Sequence, residues 1–158
     1  MLVVHNIPPE YDGNSKILIL GSFPSVKSRE QEFFYAHGKN RFWKVVSAVF
    51  SDKEPLSIED KKAFLHKHKI ALWDVIKSCE ITGSADSSIK NVCPNDLSLI
   101  LNNSAVNKIF INGKTAYKYY KKFNENIYNI QAVCLPSTSP AYAKASLNLL
   151  IKEWSIIK

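Results

Sequence analysis

The sequence predicts an α/β fold, a three-layer αβα sandwich around a central, mostly parallel four-stranded sheet. Two observations predict it. Four short apolar runs end at Gly, Asp, Asn or Pro, as buried parallel strands usually do, and stretches with helical spacing of apolar residues separate them. Strands that alternate with helices indicate a parallel sheet with helices on both faces. With 158 residues, of which 46% are hydrophobic, the chain can bury one substantial core, so residues 1–158 are expected to form a single domain.

The four runs give the predicted strands, which are residues 16–21, 70–74, 107–112 and 131–136. Their carboxyl ends should meet at one edge of the sheet, where ligands bind in open parallel sheets. Polar side chains follow each run at that edge: Ser22 and Ser25, Asp74, Asn112, and Ser137, Thr138 and Ser139. Turns are often polar for structural reasons alone. Four such loops at one edge nevertheless favour a shared binding crevice.

Helical spacing predicts the elements between the strands. Apolar residues recur at i, i+3, i+4 and i+7 after Asn40, namely Phe42, Val45, Val46 and Val49. Weaker helical patterns cover 58–69 and 94–103, and 114–123 sets Ala and Tyr against Lys. The final helix is predicted to begin with Ser139 as its N-cap and Pro140 in its first turn. Its predicted buried face consists of Leu147, Leu150, Ile151 and Trp154.

The charge favours an anionic partner. The formal net charge is +7 and the isoelectric point is near 9.3, with Arg29 and Arg41 as the only arginines among 21 basic residues. Lysine meets phosphate as a point charge, which suits contact with a nucleic-acid backbone regardless of base sequence. Many small basic proteins bind no nucleic acid, so charge alone does not settle the partner.

Composition also excludes several classes. Three cysteines without Cys-x-x-Cys spacing argue against a disulfide framework and against a four-thiolate metal site. No apolar run has the length of a membrane helix and no signal peptide is recognisable, so a cytoplasmic protein that does not bind membranes is expected. Clustered carboxylates, a Gly-rich phosphate loop and a Gly-x-Ser-x-Gly elbow are all missing from the sequence, so neither a cofactor nor a metal is expected.

Three motifs then carry a family resemblance. "ILILGSFPS", "FFYAHGKNRFWKV" and "LPSTSPA", in this order and spacing, resemble the uracil-DNA glycosylase superfamily, most closely its branch that removes hypoxanthine from DNA. "LWDVI", "DSSIK" and "IFINGKTAY" extend the similarity over nearly the whole chain. The resemblance implies a monofunctional DNA glycosylase of base excision repair. It would flip a deaminated base out of DNA, hypoxanthine first and uracil second, and hydrolyse its N-glycosidic bond.

The first motif departs from the family pattern at the position where many branches carry the residue that handles the attacking water. Many branches carry Asp or Asn between the residues equivalent to Ser22 and Pro24, and here that residue is Phe23, which cannot handle water. The hypoxanthine branch implies that Asn40 instead positions the attacking water through its side-chain oxygen. A cap of the helix beginning at Arg41 is the structural alternative, and both roles are compatible.

The resemblance also suggests roles around the base. Phe34 and Tyr35 would form a stacking platform for an extruded purine, with short Ser22 at one wall of the pocket. Asn112 could pair with a lactam edge through its donor and its acceptor, or merely cap the helix that follows it. His37 could lie near the leaving base or be a solvated loop residue. Asp74 and Asp86 are weaker candidates without an assigned role, because an acidic residue at a strand end is often a cap or turn former.

Contacts to DNA complete the expected site. The segment "PSTSP" is predicted to bind phosphate at the start of the final helix through Ser137, Thr138 and Ser139, and Ser25 and Ser28 could grip a neighbouring phosphate. The resemblance implies that Tyr142 wedges into the duplex. The expected partner is DNA with a deaminated base, bound by a monomer.

The competing hypothesis is a non-catalytic nucleic-acid or nucleotide-binding module of the same fold. A third class, a glycosylase with lyase activity, would require an amine nucleophile in the pocket.

Overall fold

The computed structural model describes residues 2–158. Within this range the chain forms seven strands and six α-helices. The strands are β1 (Leu2–Val4), β2 (Ile17–Gly21), β3 (Ile70–Asp74), β4 (Ile76–Glu80), β5 (Lys90–Pro94), β6 (Lys108–Asn112) and β7 (Ala132–Leu135). The helices are α1 (Val26–Gln31), α2 (Phe42–Val49), α3 (Ile58–Lys67), α4 (Ser98–Leu101), α5 (Lys114–Phe123) and α6 (Leu147–Trp154).

The central sheet has the strand order β3-β2-β6-β7, and every neighbouring pair is parallel. Its central strand β2 is buried along its whole length. Ile17 and Ile19 belong to one core with residues of α2, α3 and α6, whereas Leu18 and Leu20 belong to a second core with residues of α4 and α5. Alternation along a strand sends successive side chains to opposite faces. The predicted layered α/β fold with a four-stranded parallel sheet is therefore confirmed.

A second, antiparallel sheet of order β1-β4-β5 was not expected from the sequence. Its strands are only partly buried, with an exposed residue at both ends of β1 and three mostly exposed positions in β5, so they lack the continuous apolar run typical of buried strands. β4 follows β3 after the single residue Val75. This sheet brings the residue after β1, His5, towards the carboxyl end of β3.

The final helix begins later than predicted. α6 starts at Leu147, and its N-cap is Ser146, whose Oγ accepts a hydrogen bond from the N–H of Leu149 at 3.1 Å. The preceding loop is held by Arg41, which donates to the carbonyl oxygens of Ala145 at 2.6 Å and Tyr142 at 2.9 Å. Ser146 has extended backbone angles, φ −71 and ψ 163, so helical geometry cannot continue from Ser139 through this residue, and the prediction of a helix start near Ser139 and Pro140 is wrong.

Two smaller corrections concern helix length. α4 spans four residues, much less than the predicted 94–103, because Pro94 still belongs to β5 and Asn95 is bound to the carbonyl oxygens of Asp74 and Ile76. α2 starts at Phe42, one residue after the predicted start. In the part of the chain described here, every helix is too short or too polar to cross a membrane.

Candidate active site

A crevice of about 1000 Å³ opens at the carboxyl ends of the parallel strands. This is the edge at which ligands bind in open parallel sheets. The crevice collects every residue for which the sequence predicted a role: Ser22, Ser25, Ser28, Phe34, Tyr35, Asn40, Asn112, Ser137, Thr138, Ser139 and Tyr142. It also contains residues without a predicted role, among them Asp74 and Asp86.

Thr138 connects two carboxamides on the wall of the crevice. Its Oγ1 accepts a hydrogen bond from Nδ2 of Asn112 at 2.9 Å and donates to Oδ1 of Asn40 at 2.9 Å. Its backbone N–H also donates to Oδ1 of Asn112 at 3.0 Å. The residue is fully buried, so its side chain is not available to a phosphate. Thr138 therefore acts as a link between the two amides, which corrects its predicted place in a phosphate site.

The orientation of Asn40 follows from its partners. Oδ1 accepts from the Thr138 hydroxyl and from the N–H of Phe42, in the first turn of α2, at 2.9 Å. Two donors require the oxygen at this position, which fixes the amide orientation. Nδ2 forms no hydrogen bond with any residue from 2 to 158 and remains at the crevice. Asn40 thus combines the helix contact with a place in the site, but its free group is the amide nitrogen, not the predicted oxygen.

Asn112 connects the end of β6 to the loop after β7 in the wall of the crevice. Both ends of its carboxamide are bonded to Thr138. One N–H of Nδ2 and one lone pair of Oδ1 are not used by these two bonds, so pairing of Asn112 with a lactam edge stays a prediction. It is not the cap of α5, because Gly113 takes that position. Gly113 has φ +95, and a Cβ there would lie 3.0 Å from Cβ of Ser137. Glycine is therefore required for both the backbone conformation and the approach of the loop after β7.

Tyr35 faces the crevice with an unusual geometry. Its ring stacks on Phe42 with centroids 4.0 Å apart and an interplanar angle of 15°, so one ring face is already covered. Its φ is +53, a conformation that costs energy for a residue other than glycine. The hydroxyl is buried and forms no hydrogen bond of normal distance and angle. Burial raises the pKa of Tyr35 and the charge of Asp74 raises it further, whereas an interaction with the Asn112 side chain lowers it.

Phe34 contributes less accessible surface than predicted. Only 2% of the residue is exposed, and its backbone carbonyl accepts a hydrogen bond from Nε1 of Trp43 at 3.3 Å. Phe34 therefore lies in the core that backs the crevice. Of the two predicted platform residues, Tyr35 has the more accessible position.

A buried His–Asp pair lies below the crevice. Nε2 of His5 is 2.7 Å from Oδ2 of Asp74, and their side chains are 2% and 6% exposed. The imidazole contacts the rings of Phe23, Phe34 and Trp73. Phe23, which replaces the expected polar residue of the first motif, is therefore a wall of the histidine pocket. Sequence reasoning missed His5 because it lies outside every motif and its partner is 69 residues away.

Gly21 lies beside Asp74 and the Tyr35 hydroxyl, at a position where a side chain would not fit. It pairs with Asp74 across β2 and β3, and a Cβ at Gly21 would overlap Oδ1 of Asp74 and lie 3.1 Å from the Tyr35 hydroxyl. The absence of a side chain at Gly21 thus lets the carboxylate and the hydroxyl approach the same point of the crevice floor.

The two predicted phosphate sites differ in accessibility. Ser28 is 2% exposed, and its Oγ takes hydrogen bonds from Ser25 at 3.1 Å and from the N–H of Ala36 at 3.1 Å, so it closes a loop and cannot reach a phosphate. Ser25 caps α1. Ser137 and Ser139 are half-buried, and each Oγ accepts from a backbone N–H two residues ahead, which leaves the hydroxyl hydrogen of each free to donate. This segment precedes a loop and not a helix, so the predicted help from a helix dipole is wrong.

Tyr142 and the remaining polar groups occupy the rim. Tyr142 is half-buried and packs against the first core, an arrangement that does not project it as the predicted wedge. Ser22 donates to Oδ1 of Asp86 at 3.2 Å. Desolvation raises the pKa of Asp86 and the charge of Asp74 adds to this, whereas the hydrogen bond from Ser22 opposes it. Among residues 2–158, no group of three or more His, Cys, Asp or Glu could hold a metal ion.

Comparison with known proteins gives consistent results. The model of the uracil DNA glycosylase superfamily matches residues 8–155. A hypoxanthine DNA glycosylase of Methanosarcina barkeri is 35% identical over 115 residues, covering 71% of this chain and 72% of the relative. A hypoxanthine DNA glycosylase of Methanosarcina acetivorans is 32% identical over 158 residues, covering 99% and 98%. The solution NMR structure of a candidate uracil DNA glycosylase from Methanosarcina acetivorans superposes with a TM-score of 0.84 at 30% identity, covering 99% of this chain and 97% of that one.

Proposed function

The chain belongs to the uracil DNA glycosylase superfamily, and on that premise we propose that it hydrolyses the N-glycosidic bond of a deaminated base in DNA, hypoxanthine first and uracil second. The relatives that share about a third of their sequence with it are named hypoxanthine DNA glycosylases. The observation that carries the proposal is the position of Asn40, whose side chain lines the crevice with Nδ2 unbonded among the described residues while Thr138 and the N–H of Phe42 hold its oxygen.

The reaction needs three things from the protein. The nucleotide must leave the base stack, a water must stand at C1′, and the departing base must be stabilised as it takes the electrons of the broken bond. Asn40 is proposed to donate from Nδ2 to the oxygen of that water and so align it with C1′. The water oxygen then bonds to C1′, the C1′–N bond breaks with its electron pair moving to the base, and the water proton passes to solvent.

The surroundings of Asn40 support binding of the sugar and phosphate nearby. Ser137 and Ser139 have hydroxyl groups that can donate to a phosphate, and Lys114 and Lys118 line the same crevice. With a net charge of +7, the molecule as a whole attracts DNA independently of sequence. Specific recognition then depends on the flipped base.

The crevice has room for a purine as the first substrate. At about 1000 Å³ it lies at the upper end of ordinary ligand pockets. A bicyclic base therefore fits, and so does the smaller uracil. The proposed order, hypoxanthine before uracil, rests on the substrate named for both relatives.

The test is single-turnover release of bases from oligonucleotides that each carry one hypoxanthine, one uracil or one normal base. We expect hypoxanthine release to be fastest, uracil release to be slower and normal bases to be retained. If none of the bases is released but the lesion-containing strands are bound selectively, the non-catalytic binding module of the same fold becomes the better description.

A further inference from the structure

The floor of the crevice carries two polar atoms that the proposed hydrolysis does not use. Oδ1 of Asp74 and the hydroxyl of Tyr35 both lie close to the point where Gly21 lacks a side chain. The hydroxyl has no hydrogen-bond partner although it is buried, and its residue adopts a positive φ. An unpaired buried hydroxyl destabilises the folded state. Its retention in a strained residue at the crevice indicates that a ligand completes its bonding.

The hydrogen bonds of His5 determine which oxygen of Asp74 can accept a hydrogen bond from a ligand. Nδ1 of His5 accepts a hydrogen bond from the N–H of Ile7 at 3.2 Å, so the ring hydrogen is on Nε2, which donates to Oδ2 of Asp74. The imidazole is therefore neutral, and the aromatic rings around it exclude water. Asp86 is the other acidic group whose charge acts on this region. Oδ2 of Asp74 accepts from His5, which leaves Oδ1, beside Gly21 in the lining of the crevice, as a hydrogen-bond acceptor.

The strand order separates this floor from the water site. Asp74 ends β3, whereas Thr138, which holds Asn40, bonds to Asn112 at the end of β6, with β2 between these two strands. Neighbouring strands are about 4.8 Å apart, so the ends of β3 and β6 are separated by about 10 Å. A nucleotide whose sugar lies at Asn40 thus extends its base towards Gly21 and Asp74. Asp74 is placed to contact the base and not the water.

We propose that Asp74, oriented by His5, and Tyr35 together recognise the base by its lactam edge. Oδ1 of Asp74 accepts the ring N–H, and the Tyr35 hydroxyl donates to the neighbouring carbonyl oxygen. This inference rests on the proposed function. The class of ligand is a deaminated base with a ring N–H beside a carbonyl, either hypoxanthine through N1–H and O6 or uracil through N3–H and O4. His5 is a positioning residue, because it acts through Asp74.

The same arrangement rejects adenine. Adenine presents a lone pair at N1, which would face the carboxylate, and an amino group where hypoxanthine has O6. Replacing Asp74 with Asn keeps the shape and the bond to His5, since the Asn oxygen can accept from Nε2. The Asn nitrogen then places an N–H donor at the crevice. This donor can bond to the lone pair of adenine N1, but it faces the N1–H of hypoxanthine, which is also a donor. Asp74→Asn should therefore reverse the preference and not simply weaken it.

The experiment measures equilibrium binding of free hypoxanthine, 1-methylhypoxanthine and adenine by calorimetry or ligand-observed NMR. Wild-type protein is expected to favour hypoxanthine at least about tenfold over both other bases, since one lost hydrogen bond to a charged group corresponds to about that factor. Tyr35→Phe should lower hypoxanthine affinity about tenfold without lowering the melting temperature. Asp74→Asn should bind adenine better than hypoxanthine. A wild type without preference, or an Asp74→Asn variant that keeps the wild-type preference, overturns the proposal.

Two controls sharpen the result. Tyr120 also has a buried hydroxyl without a partner, but it lies in the second core away from the crevice, so Tyr120→Phe should leave the affinity unchanged. His5→Phe should reduce the ratio of hypoxanthine to 1-methylhypoxanthine affinity, and His5→Gln, which retains a donor, should restore part of that ratio. An equal ratio in all three His5 forms contradicts the positioning role.

Base release is measured in parallel to separate this inference from the proposed function. Wild-type protein that releases no base from any lesion strand contradicts the proposed function. Release of hypoxanthine at the wild-type rate by both Tyr35→Phe and Asp74→Asn contradicts only the inference.

Discussion

At the scale of single residues, the bonding of Asn40 explains why one side chain can serve structure and chemistry together. Its oxygen is held by an N–H of α2 and by the Thr138 hydroxyl, and its nitrogen remains at the crevice. A cap and a catalytic group are often treated as alternatives. A carboxamide has two ends, and here each end has a different environment.

Asn40→Ala is expected to lower the single-turnover rate of base release by about 100- to 1000-fold, the cost of removing one preorganised donor. Loss of the bond to the Phe42 N–H should lower the free energy of unfolding by about 1 kcal/mol. DNA affinity should stay close to that of wild type. Asn103→Ala, on the surface beyond α4, is a suitable control. Near-normal cleavage by Asn40→Ala would exclude it from the reaction.

Thr138→Val tests the link between the amides. The substitution keeps the shape and removes the hydroxyl, so Nδ2 of Asn112 is left unpaired, at a cost of about 1 to 3 kcal/mol in stability. The rate of base release should fall because Asn40 loses one of the two donors that orient it, and Thr138→Ser should restore it.

A double-mutant cycle distinguishes this from general destabilisation. If Thr138 acts through Asn40, then Thr138→Val should cause no further rate loss in the Asn40→Ala protein. A full additional loss in the double mutant would mean that Thr138 affects the reaction by another route.

At the scale of elements, the loop between β7 and α6 is the part that sequence reasoning placed incorrectly, and it carries Ser137, Thr138 and Ser139. Arg41, next to Asn40, binds the carbonyl oxygens of Tyr142 and Ala145. Hydrogen bonds from Arg41 therefore hold this loop against the start of α2. A helix from Ser139 onward would have replaced the turn in which the half-buried Ser139 accepts a hydrogen bond from the N–H of Ala141.

Replacing Ser137 and Ser139 together with Ala is expected to weaken binding of lesion-containing and normal DNA by a similar factor, since phosphate contacts carry no base information. The salt dependence of binding should remain the same, because hydroxyl groups displace no counterions. Fluorescence anisotropy at several salt concentrations measures both quantities. Ser146→Ala, which removes the N-cap of α6, should lower the melting temperature by a few degrees and leave DNA affinity intact. Unchanged affinity in the double Ser variant would restrict both serines to turn formation.

Three of the four predicted strands share one property. β2, β3 and β6 are buried on both faces, so hydrophobicity alone marks them. β1, β4 and β5 have mixed burial, and their pairing depends on partners far away in sequence. Ser22, Asn112 and Ser137 could be named because they lie at the ends of the predicted strands, whereas Asn40 and Tyr35 were named from the family resemblance. His5 could not be named, since its role arises from β1 pairing with β4 and not from any local pattern.

At the scale of the whole molecule, acidic side chains on the surface make stability depend on pH. The bonds from His68 and Lys67 lower the pKa of Asp52. The N–H of Asn14 lowers that of Asp12, and the hydroxyl of Ser98 lowers that of Asp96. A carboxylate with a lowered folded-state pKa stabilises the fold above its unfolded pKa of about 3.9. That contribution is lost as the pH falls through the lowered value. Asp86 has a raised pKa, so its contribution to stability changes with pH in the opposite direction.

The melting temperature is therefore expected to fall between about pH 4 and pH 2. Asp52→Asn should flatten this fall, because the variant has no proton to gain at that position. Thermal scans across this range measure the slope, with Glu153→Gln on α6 as the control. An identical slope in Asp52→Asn and wild type would show that its bonds to His68 and Lys67 do not persist in solution.

The hydrogen bonds that shape the crevice join distant parts of the chain, and this has a consequence for how the protein folds. Thr138 and Asn40 are 98 residues apart, and His5 and Asp74 are 69 residues apart. Contacts between distant residues form late because long loops must close first. On the ribosome, a nascent chain can complete the parallel pairing of β2 with β3 long before Thr138 has been synthesised. We therefore expect binding competence to arise abruptly at the end of synthesis, with amide protection at Thr138 gained after that of β2 in pulse-labelled refolding.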